Sequence, residues 1–363
     1  MSKKSPQLRF EGFTDDWEER KLNEVSDIYD GTHQTPKYQD DGVMFLSVEN
    51  IKTLTSNKFI SREAFEDEFK IRPQRGDVLM TRIGDIGTAN VVETDEDLAY
   101  YVSLALFKSE ELNPYFLQAS IYAPFVQDQI WKRTLHIAFP KKINKNEIGQ
   151  VPINVPTLEE QTKIGSFFKQ LDDTITLHQR KLDLLKEQKK GYLQKMFPKN
   201  GAKVPELRFA GFADDWEERK LSDIVDRFDN LRVPITASDR KPGDTPYYGA
   251  NGIQDYVEGF THNGEFILVA EDGANDLKNY PVQYVNGKVW VNNHAHVLQG
   301  KKTITDNKFL MNAIKNFNIE PFLVGGGRAK LNADVMMKLN ILLPTFVEQE
   351  KIGSLFSLLD KTI

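Results

Sequence analysis

The longest regular pattern of apolar positions lies in the middle of the chain, between Pro156 and Pro198. Alternating steps of four and three residues reach mostly apolar side chains, a spacing typical of a helix that pairs with another helix along a narrow seam. The seam positions are Ile164, Phe168, Leu171, Ile175, His178, Leu182, Leu185, Lys189, Tyr192 and Met196. Thr157 with Glu160 behind Pro156 predicts a capping box at the helix start. The pattern predicts one helix of about forty residues, roughly 60 Å long.

A second copy of the start of this helix lies near the C-terminal end. Residues 344–356 closely repeat residues 156–168, and the seam continues to Ile363, where the chain stops. We therefore expect the second helix to be a truncated version of the first, shorter by about twenty residues. The side chains expected to pair the two helices are Ile164, Phe168, Leu171, Ile175, Leu182, Leu185, Ile352, Phe356 and Leu359.

Another repeat opens each half of the chain. Residues 6–22 return almost unchanged as residues 205–221, and the repeated blocks enclose two dissimilar inserts, residues 23–150 and 222–338. Within this repeat, acidic residues surround Trp17 and Trp216. We interpret them as the start of a short helix that the tryptophan anchors to a core, rather than as catalytic carboxylates, because the copies lie outside the dissimilar inserts.

Short apolar runs in both inserts predict strands. In the first insert and just after it they cover residues 43–48, 77–83, 104–107 and 151–155; in the second they cover 266–269, 282–285 and 289–291. Helices are predicted over residues 113–132 and 308–317. The fold class is therefore α+β, with two pseudo-repeated α/β domains separated by long repeated helices. The expected boundaries are 1–155 and 205–343 for the two domains, 156–204 for the first helix and linker, and 344–363 for the second helix.

Composition narrows the choice of function. The 363 residues include no cysteine, which excludes disulfides, thiolate metal sites and a cysteine nucleophile. No run approaches the ~18 apolar residues of a membrane span and no signal-peptide core follows Met1, so we expect a cytoplasmic protein without membrane contact. The net charge of -6 argues mildly against a simple nucleic-acid binder. That charge is unevenly spread.

A basic stretch without acidic residues covers residues 132–146, and the second half has a glycine-rich basic stretch at the equivalent place. At the offset of the helix repeat, Lys330 corresponds to Lys142 and Asn332 to Asn144. Glycines let backbone N–H groups approach a phosphate, and lysine or arginine beside them supplies charge. The side chains expected to contact the DNA backbone are Arg82, Lys141, Lys142, Lys145, Arg328, Lys330 and Asn332.

Polar side chains in turn-rich segments are candidates for contacts to base edges. These are Thr32, His33 and Gln34 in the first insert, and Tyr248, Asn251 and His294 in the second. His294 and His296 have the alternating spacing of a metal pair, but the sequence shows no third ligand, so no metal site is expected. No catalytic constellation and no glycine-rich cofactor loop is evident, so no catalytic residue is expected either.

Taken together, the two repeats resemble those of the specificity subunit of type I restriction-modification enzymes. The resemblance rests on Leu-Arg-Phe-x-Gly-Phe-x-Asp-x-Trp-Glu-x-Arg-Lys-Leu at the start of each half and Pro-Thr-x-x-Glu-Gln-x-Lys-Ile-Gly-x-x-Phe at the start of each long helix. It implies that each insert is a target recognition domain reading one half of a bipartite, asymmetric DNA sequence. It also implies that the helices pair as an antiparallel coiled coil and set the spacer between the halves.

The same resemblance implies that this chain has no chemistry and binds no cofactor of its own. It implies binding to double-stranded DNA, to two modification subunits that methylate adenine with S-adenosylmethionine, and to restriction subunits that use ATP and Mg2+. Two other classes remain as alternatives: a scaffold protein without sequence preference and a stand-alone DNA-modifying enzyme. A scaffold would show no sequence preference in DNA binding, whereas an enzyme would act on DNA without partners.

Overall fold

A computed structural model of the chain describes residues 6–199, 201–325 and 329–363. It divides between Leu177 and His178 into two units, each with its own hydrophobic core. The division falls inside the long helix, whereas the sequence treated that helix as a segment of its own. No helix among the described residues is both long enough and apolar enough to cross a bilayer.

The first unit combines three small sheets with short helices. Four strands pair in the order β2-β8-β5-β6, three in the order β4-β3-β7, and β1 pairs with β9. The elements are β1 (Glu18–Lys21), α1 (Leu22–Val25), β2 (Asp27–Asp30), β3 (Val43–Leu46), β4 (Phe59–Ile60), α2 (Arg62–Glu68), β5 (Val78–Thr81), β6 (Ala89–Val91), β7 (Leu98–Tyr100), β8 (Leu104–Lys108), α3 (Pro114–Tyr122), α4 (Pro124–Arg133), α5 (Lys145–Gly149), β9 (Pro152–Val155) and the first part of α6 (Leu158–Lys195).

The second unit has one larger sheet, with strand order β11-β16-β14-β15-β12-β13, and the pair β10-β17. After the end of α6, its elements are β10 (Glu217–Lys220), α7 (Leu221–Ile224), β11 (Val225–Arg227), β12 (Pro242–Gly249), β13 (Gly252–Val257), β14 (His262–Ala270), β15 (Val282–Val291), β16 (Ala295–Gly300), α8 (Asn307–Lys315), α9 (Ala333–Met336), β17 (Asn340–Leu343) and α10 (Phe346–Thr362). Strand β15 is continuous, although the sequence predicted two strands there.

The helix predicted at the acidic cluster is wrong, because the glutamates of each cluster belong to a strand and the aspartates precede that strand outside any helix. Glu18–Lys21 pairs antiparallel with Pro152–Val155, and Glu217–Lys220 pairs in the same way with Asn340–Leu343. The short helices α1 and α7 begin one residue after these strands. A strand is stabilised by its partner, and here that partner lies more than 100 residues away, where local sequence patterns cannot indicate it.

The predicted tryptophan anchors are confirmed in both units. The Trp216 ring is buried between Phe197 and Phe309, with ring centroids 6.0 and 5.7 Å away. Trp17 packs edge-on against Phe116 at 6.0 Å. The repeated tryptophan therefore fixes the opening segment of each unit to a helix of its insert, α3 in the first unit and α8 in the second.

The single helix predicted over residues 113–132 is in fact two helices. Helix α3 ends at Tyr122 and α4 begins at Pro124. Proline cannot donate the hydrogen bond that would continue α3, and it drives the preceding residue out of the helical conformation. Ala123 accordingly has ψ of 137°.

A buried glutamate ties the start of each long helix to the opening segment of its unit. Both carboxylate oxygens of Glu160 accept hydrogen bonds from Arg9, from Nε at 2.6 Å and from Nη2 at 2.8 Å. Glu348 accepts the same two bonds from Arg208, at 2.7 and 2.8 Å. The predicted capping box is therefore only half formed: Thr157 Oγ1 accepts from the Glu160 N–H at 3.4 Å, but the glutamate side chain is committed to Arg9.

The next residue, a buried glutamine, ties the same long helix to α3 in the first unit and to α8 in the second. Gln161 accepts a bond from the N–H of Asn113, the residue before α3, at 2.9 Å and donates one to the carbonyl oxygen of Pro156 at 3.0 Å. Gln349 makes the equivalent bonds, each 3.0 Å long, to Asp306 and Pro344. The repeated Glu-Gln dipeptide is thus the joint that connects three distant segments in each unit.

A glycine one turn later lets the helices of this joint approach closely. A Cβ atom at Gly165 would lie 2.4 Å from Asn113 Oδ1, and one at Gly353 would lie 2.4 Å from Asp306 Oδ1. Gly191, on the same helix as Gly165, has no neighbouring atom within 4 Å of such a Cβ. The repeat therefore requires glycine at 165 and 353 for packing, whereas position 191 has space for a side chain.

We expect Gly165→Ala to destabilise the protein by about 1–3 kcal/mol, because the added methyl group overpacks the contact with α3. Gly191→Ala is the matched control, and it should stabilise by up to about 1 kcal/mol because alanine favours a helix. Urea unfolding followed by circular dichroism measures both. Equal effects of the two substitutions would contradict the close approach at Gly165.

Candidate nucleic-acid interface

Within the second unit, the C-terminal helix α10 packs antiparallel against the last turns of α6. The Lys189 ammonium pairs with Asp360, and the ring centroids of Phe197 and Phe356 lie 6.2 Å apart. The residue number therefore increases along one segment where it decreases along the other. Of the expected seam side chains in this unit, Ile352 and Phe356 are buried, and Leu359, Leu182 and Leu185 are half-buried. In the first unit, Ile164 is half-buried against the core, whereas Phe168, Leu171 and Ile175 are exposed.

Both units have a basic hairpin at the position that the repeat indicated. Lys142 forms bridges to Leu135 on one side and to Ile83, just after β5, on the other. Lys330 forms equivalent bridges to Val324 and to Asp272, just after β14. The correspondence of Lys142 with Lys330 is therefore structural as well as sequential. It places both lysines where a hairpin leaves the end of an inner strand of the sheet.

The other basic and capping side chains of this prediction lie around the two hairpins. Lys141 and Lys142 are exposed, and Lys145 is half-buried in the first turn of α5. Asn332 is the residue before α9, as Asn144 is before α5. Arg328 lies outside the described residues. Lys141 and Lys142 belong to one hairpin of the first unit, residues 135–142, which we call the first basic hairpin, and Lys145 lies just after it.

Arg82, expected at the surface, lies in the interior instead. Only 6% of the residue is exposed, its guanidinium pairs with Asp30, and its Nε donates to the carbonyl oxygen of Ile143 at 3.2 Å. Burial lowers the pKa of the guanidinium. In this structure a phosphate cannot reach the Arg82 guanidinium, so the side chain supports the hairpin rather than presenting charge. The sequence could not indicate this, because the partner carboxylate comes from a strand 52 residues away.

The equivalent place in the second unit has the opposite charge. Glu271 accepts from the N–H of Leu331 through its backbone oxygen at 2.7 Å, as Arg82 accepts from Ile143 at 2.9 Å. The Glu271 carboxylate binds Arg232 at 2.7 Å and Lys330 at 2.9 Å. Lys330 is therefore half-buried and engaged with an acid of its own unit, unlike the exposed Lys142.

Glu271 belongs to a charged cluster that includes Asp229 and His296. Candidate ligand atoms of these three residues lie within 4.8 Å of one another, as in a metal site. The four carboxylate oxygens, however, already have donors in Arg232, Lys330, His296 and the Val297 N–H. Burial alone would raise the pKa of Asp229, but the bonds from His296 and Val297 outweigh it and lower that pKa. Glu271 behaves alike: burial raises its pKa, and the bonds from Arg232 and Lys330 lower it.

The residues expected to contact base edges have varied environments. His33 and Gln34 are exposed, while the Thr32 hydroxyl donates to Glu68 at 2.9 Å. Asn251 uses both ends of its amide to hold the loop at residues 273–275, through bonds of 2.9 Å. Tyr248 is half-buried, and burial raises its pKa. His294 is half-buried with its Nδ1 against the Asp272 carboxylate.

A depression of about 390 Å³ in the second unit is lined partly by polar residues that are not among the predicted contacts. Its lining includes Arg240, Gln254, Asn292 and Asn293 beside His294. The Arg240 guanidinium lies over the Tyr247 ring at 4.3 Å, and its buried Nε has no hydrogen-bond partner among the described residues. The two asparagines before His294 could have indicated this depression from the sequence, whereas nothing near Arg240 in the sequence distinguishes it from other surface arginines.

The two α/β units have the same kind of joint and a hairpin at the same place, so the chain has a duplicated architecture. Residues 14–187 and 213–363 match the family described as the type I restriction modification DNA specificity domain, and the chain belongs to that family. The fold is similar to that of the type I restriction-modification S subunit from M. genitalium, with a TM-score of 0.71 at 15% identity over 98% of this chain and 92% of that one.

Curated relatives match parts of the chain. A putative type I restriction enzyme specificity subunit from Haemophilus influenzae is 43% identical over 154 residues, which are 42% of this chain and 39% of the relative. The putative MjaX specificity subunit from Methanocaldococcus jannaschii is 25% identical over 224 residues, 57% of this chain and 52% of the relative. The matched segments therefore span about half or less of these relatives' length.

The Asp229–His296–Glu271 cluster leads to a prediction about pH. The pKa values of both carboxyl groups are lower in the folded protein than in the unfolded chain, where they are about 4. The two carboxylates therefore stabilise the fold above about pH 4, and this stabilisation is lost as the pH falls through their pKa values in the folded protein. We expect the stability difference between wild type and Asp229→Asn to shrink between about pH 6 and pH 2. Urea unfolding across this range measures it, with the exposed Asp334→Asn as control. A constant difference would contradict the assigned network.

Proposed function

We propose that this chain is the DNA sequence-recognition subunit of a type I restriction-modification complex, in which each unit reads one half of a bipartite, asymmetric target. The observation that carries the proposal is the pair of basic hairpins, closed at Lys142 and Lys330 in equivalent positions of two units whose inserts differ. A shared scaffold with different inserts is what two different half-sites require. Family membership of both halves of the chain supports the same conclusion.

In this proposal, contacts to the backbone and to the bases come from different parts of each unit. Exposed lysines of the first basic hairpin bind phosphates, which position the DNA without selecting a sequence. The exposed amides of Gln254 and Asn293 at the depression of the second unit select bases, because asparagine and glutamine can pair with both polar atoms of the adenine edge in the major groove. Arg240 has the donors to pair with guanine in the same way.

The long helices have a separate role in the proposal. Helix α6 sets the spacer between the two half-sites, and the helices dock two modification subunits. These subunits supply S-adenosylmethionine-dependent adenine methylation, and restriction subunits supply ATP- and Mg2+-dependent cleavage, so this chain contributes recognition and no chemistry. The complex acts on DNA in the cytoplasm. Binding two blocks through one rigid connection raises the effective concentration of the second block.

The spacer role predicts the outcome of a four-residue insertion after Ile175. The chain is co-expressed with the modification subunit of its system in a methylation-free host, and methylated adenines are mapped across the genome. Wild type should give a two-part motif with a fixed gap. The insertion adds roughly 6 Å of helix, so the gap should lengthen by about two base pairs while both half-sites stay the same.

A four-residue insertion after Glu96, in an exposed loop, is the control and should leave the gap unchanged. An altered half-site in the Ile175 insertion would contradict the spacer role. Methylation without any two-part motif would favour a scaffold over a recognition subunit, and methylation of DNA by the chain alone would favour an enzyme.

Phosphate contact and structural support can be separated at Lys142 and Arg82. Lys142→Ala should weaken binding to all sequences alike and reduce the slope of log affinity against log salt by about 0.9, because one phosphate contact is lost. Arg82→Met should leave that slope unchanged but lower the unfolding midpoint, because the Asp30 carboxylate loses its buried partner. Fluorescence anisotropy titrations between about 50 and 200 mM salt distinguish the two variants. The opposite assignment of effects would overturn this division.

A further inference from the structure

The first basic hairpin is firmly attached at its base. The Leu135 N–H donates to the Lys142 carbonyl oxygen at 2.8 Å, which closes the hairpin. On its outer side the same strand bonds to the segment after β5, with Gly84 N–H to Lys141 O at 2.8 Å and Ile143 N–H to Arg82 O at 2.9 Å. The hairpin therefore projects from the sheet in a defined direction, supported by the buried Arg82–Asp30 pair.

Two large apolar side chains lie at the tip of this hairpin. Ile137 is 100% exposed and Phe139 is 103% exposed, and no side chain among the described residues covers them. The intervening Ala138 is half-buried. Apolar groups gain free energy when they leave water, so a tip of this kind favours contact with an apolar surface. The sheet base holds it in place for that contact.

The surroundings of the tip indicate which surface it contacts. The centroid of the Trp131 ring lies 4.1 Å from that of the His136 ring and 4.7 Å from the Lys141 ammonium. Lys132 and Lys142, which are close in sequence, are also exposed. No acidic residue occurs between Asp128 and Glu147. An apolar tip with a basic rim matches duplex DNA, in which stacked base pairs lie between two lines of phosphates. Proteins that kink DNA insert phenylalanine, leucine or isoleucine between base pairs in this way.

The equivalent hairpin of the second unit has a different sequence between its closing residues. Its hairpin is closed by two bonds of 2.9 Å between Val324 and Lys330, and the sequence between them is Gly-Gly-Gly-Arg-Ala. No residue of that segment offers a large apolar side chain. The feature therefore distinguishes the two halves of the chain, although their hairpins are equivalent in position.

We propose that Ile137 and Phe139 form a wedge that enters a base step in the half-site bound by the first unit and partly unstacks it. Lys141 and Lys142 hold the adjacent phosphates. The inference rests on the proposed function and adds to it: the first unit deforms its half-site, and the second does not deform its own by this means. Selection in the first half-site then includes the ease with which a base step opens.

The test uses the full chain with its modification subunit and a duplex that carries the mapped two-part motif. The fluorescent adenine analogue 2-aminopurine is placed at successive positions, because its emission rises when stacking is lost. Wild type should raise the emission at one step, confined to one half-site. Ile137→Ser with Phe139→Ser should abolish that rise and weaken binding by about tenfold or more, with the salt slope unchanged because all charges remain.

Val324→Ser, in the equivalent hairpin, is the matched control and should leave emission and affinity as in wild type. Unchanged thermal unfolding of the double variant confirms that it folds. Wild-type emission and affinity in the double variant would overturn the wedge, and lost methylation with unchanged DNA binding would instead assign the tip to a protein contact. If wild type shows no sequence-specific binding, the proposed function itself fails, and the wedge with it.

Discussion

Each unit depends on a buried glutamate that must keep its charge satisfied. Glu160 and Glu348 are wholly buried, and each receives two hydrogen bonds from an arginine of the opening segment. The neighbouring glutamine binds the backbone at the start of α3 in the first unit and of α8 in the second. Leaving these groups unpaired in the interior is costly, so the three segments must come together before either helix start is stable. This joint explains why its residues recur in both halves while the inserts differ.

The charge-reversed pairs beside the two hairpins show how much freedom remains outside that joint. Arg82 and Glu271 occupy equivalent places beside the hairpins, and each pairs with an opposite charge of its own unit, Asp30 and Arg232. The fold requires a neutralised pair there and does not require a particular order of signs. Reversal still has an effect outside, because Glu271 also binds Lys330, whereas the first unit leaves Lys142 exposed. The two hairpins therefore differ in free charge although they have the same attachment.

Sequence patterns were sufficient where the cause of a structure is local or repeated. The seam spacing predicted α6, the apolar runs predicted β3, β5, β8, β9 and β14, and the repeat offset matched Lys142 with Lys330. They failed where a distant partner decides: strand β1 needs β9, and the interior position of Arg82 needs Asp30. The proline at position 124 indicated the break between α3 and α4, but the prediction followed the helical pattern on both sides of it and missed the break. The individual base contacts are still predictions, since polar side chains such as Asn251 serve the fold equally well.

The pairing of strands β1 and β9 also affects how the sequence of such a chain can evolve. Their pairing brings the entry and exit of the first insert side by side, and β10 with β17 does the same for the second. An insert whose two ends meet can be replaced as a cassette without disturbing the scaffold that receives it. The flanking stretches are closely similar in the two halves, so both scaffolds present the same attachment to their inserts. Under the proposed function, replacement of one insert would change one half-site and leave the other as it was.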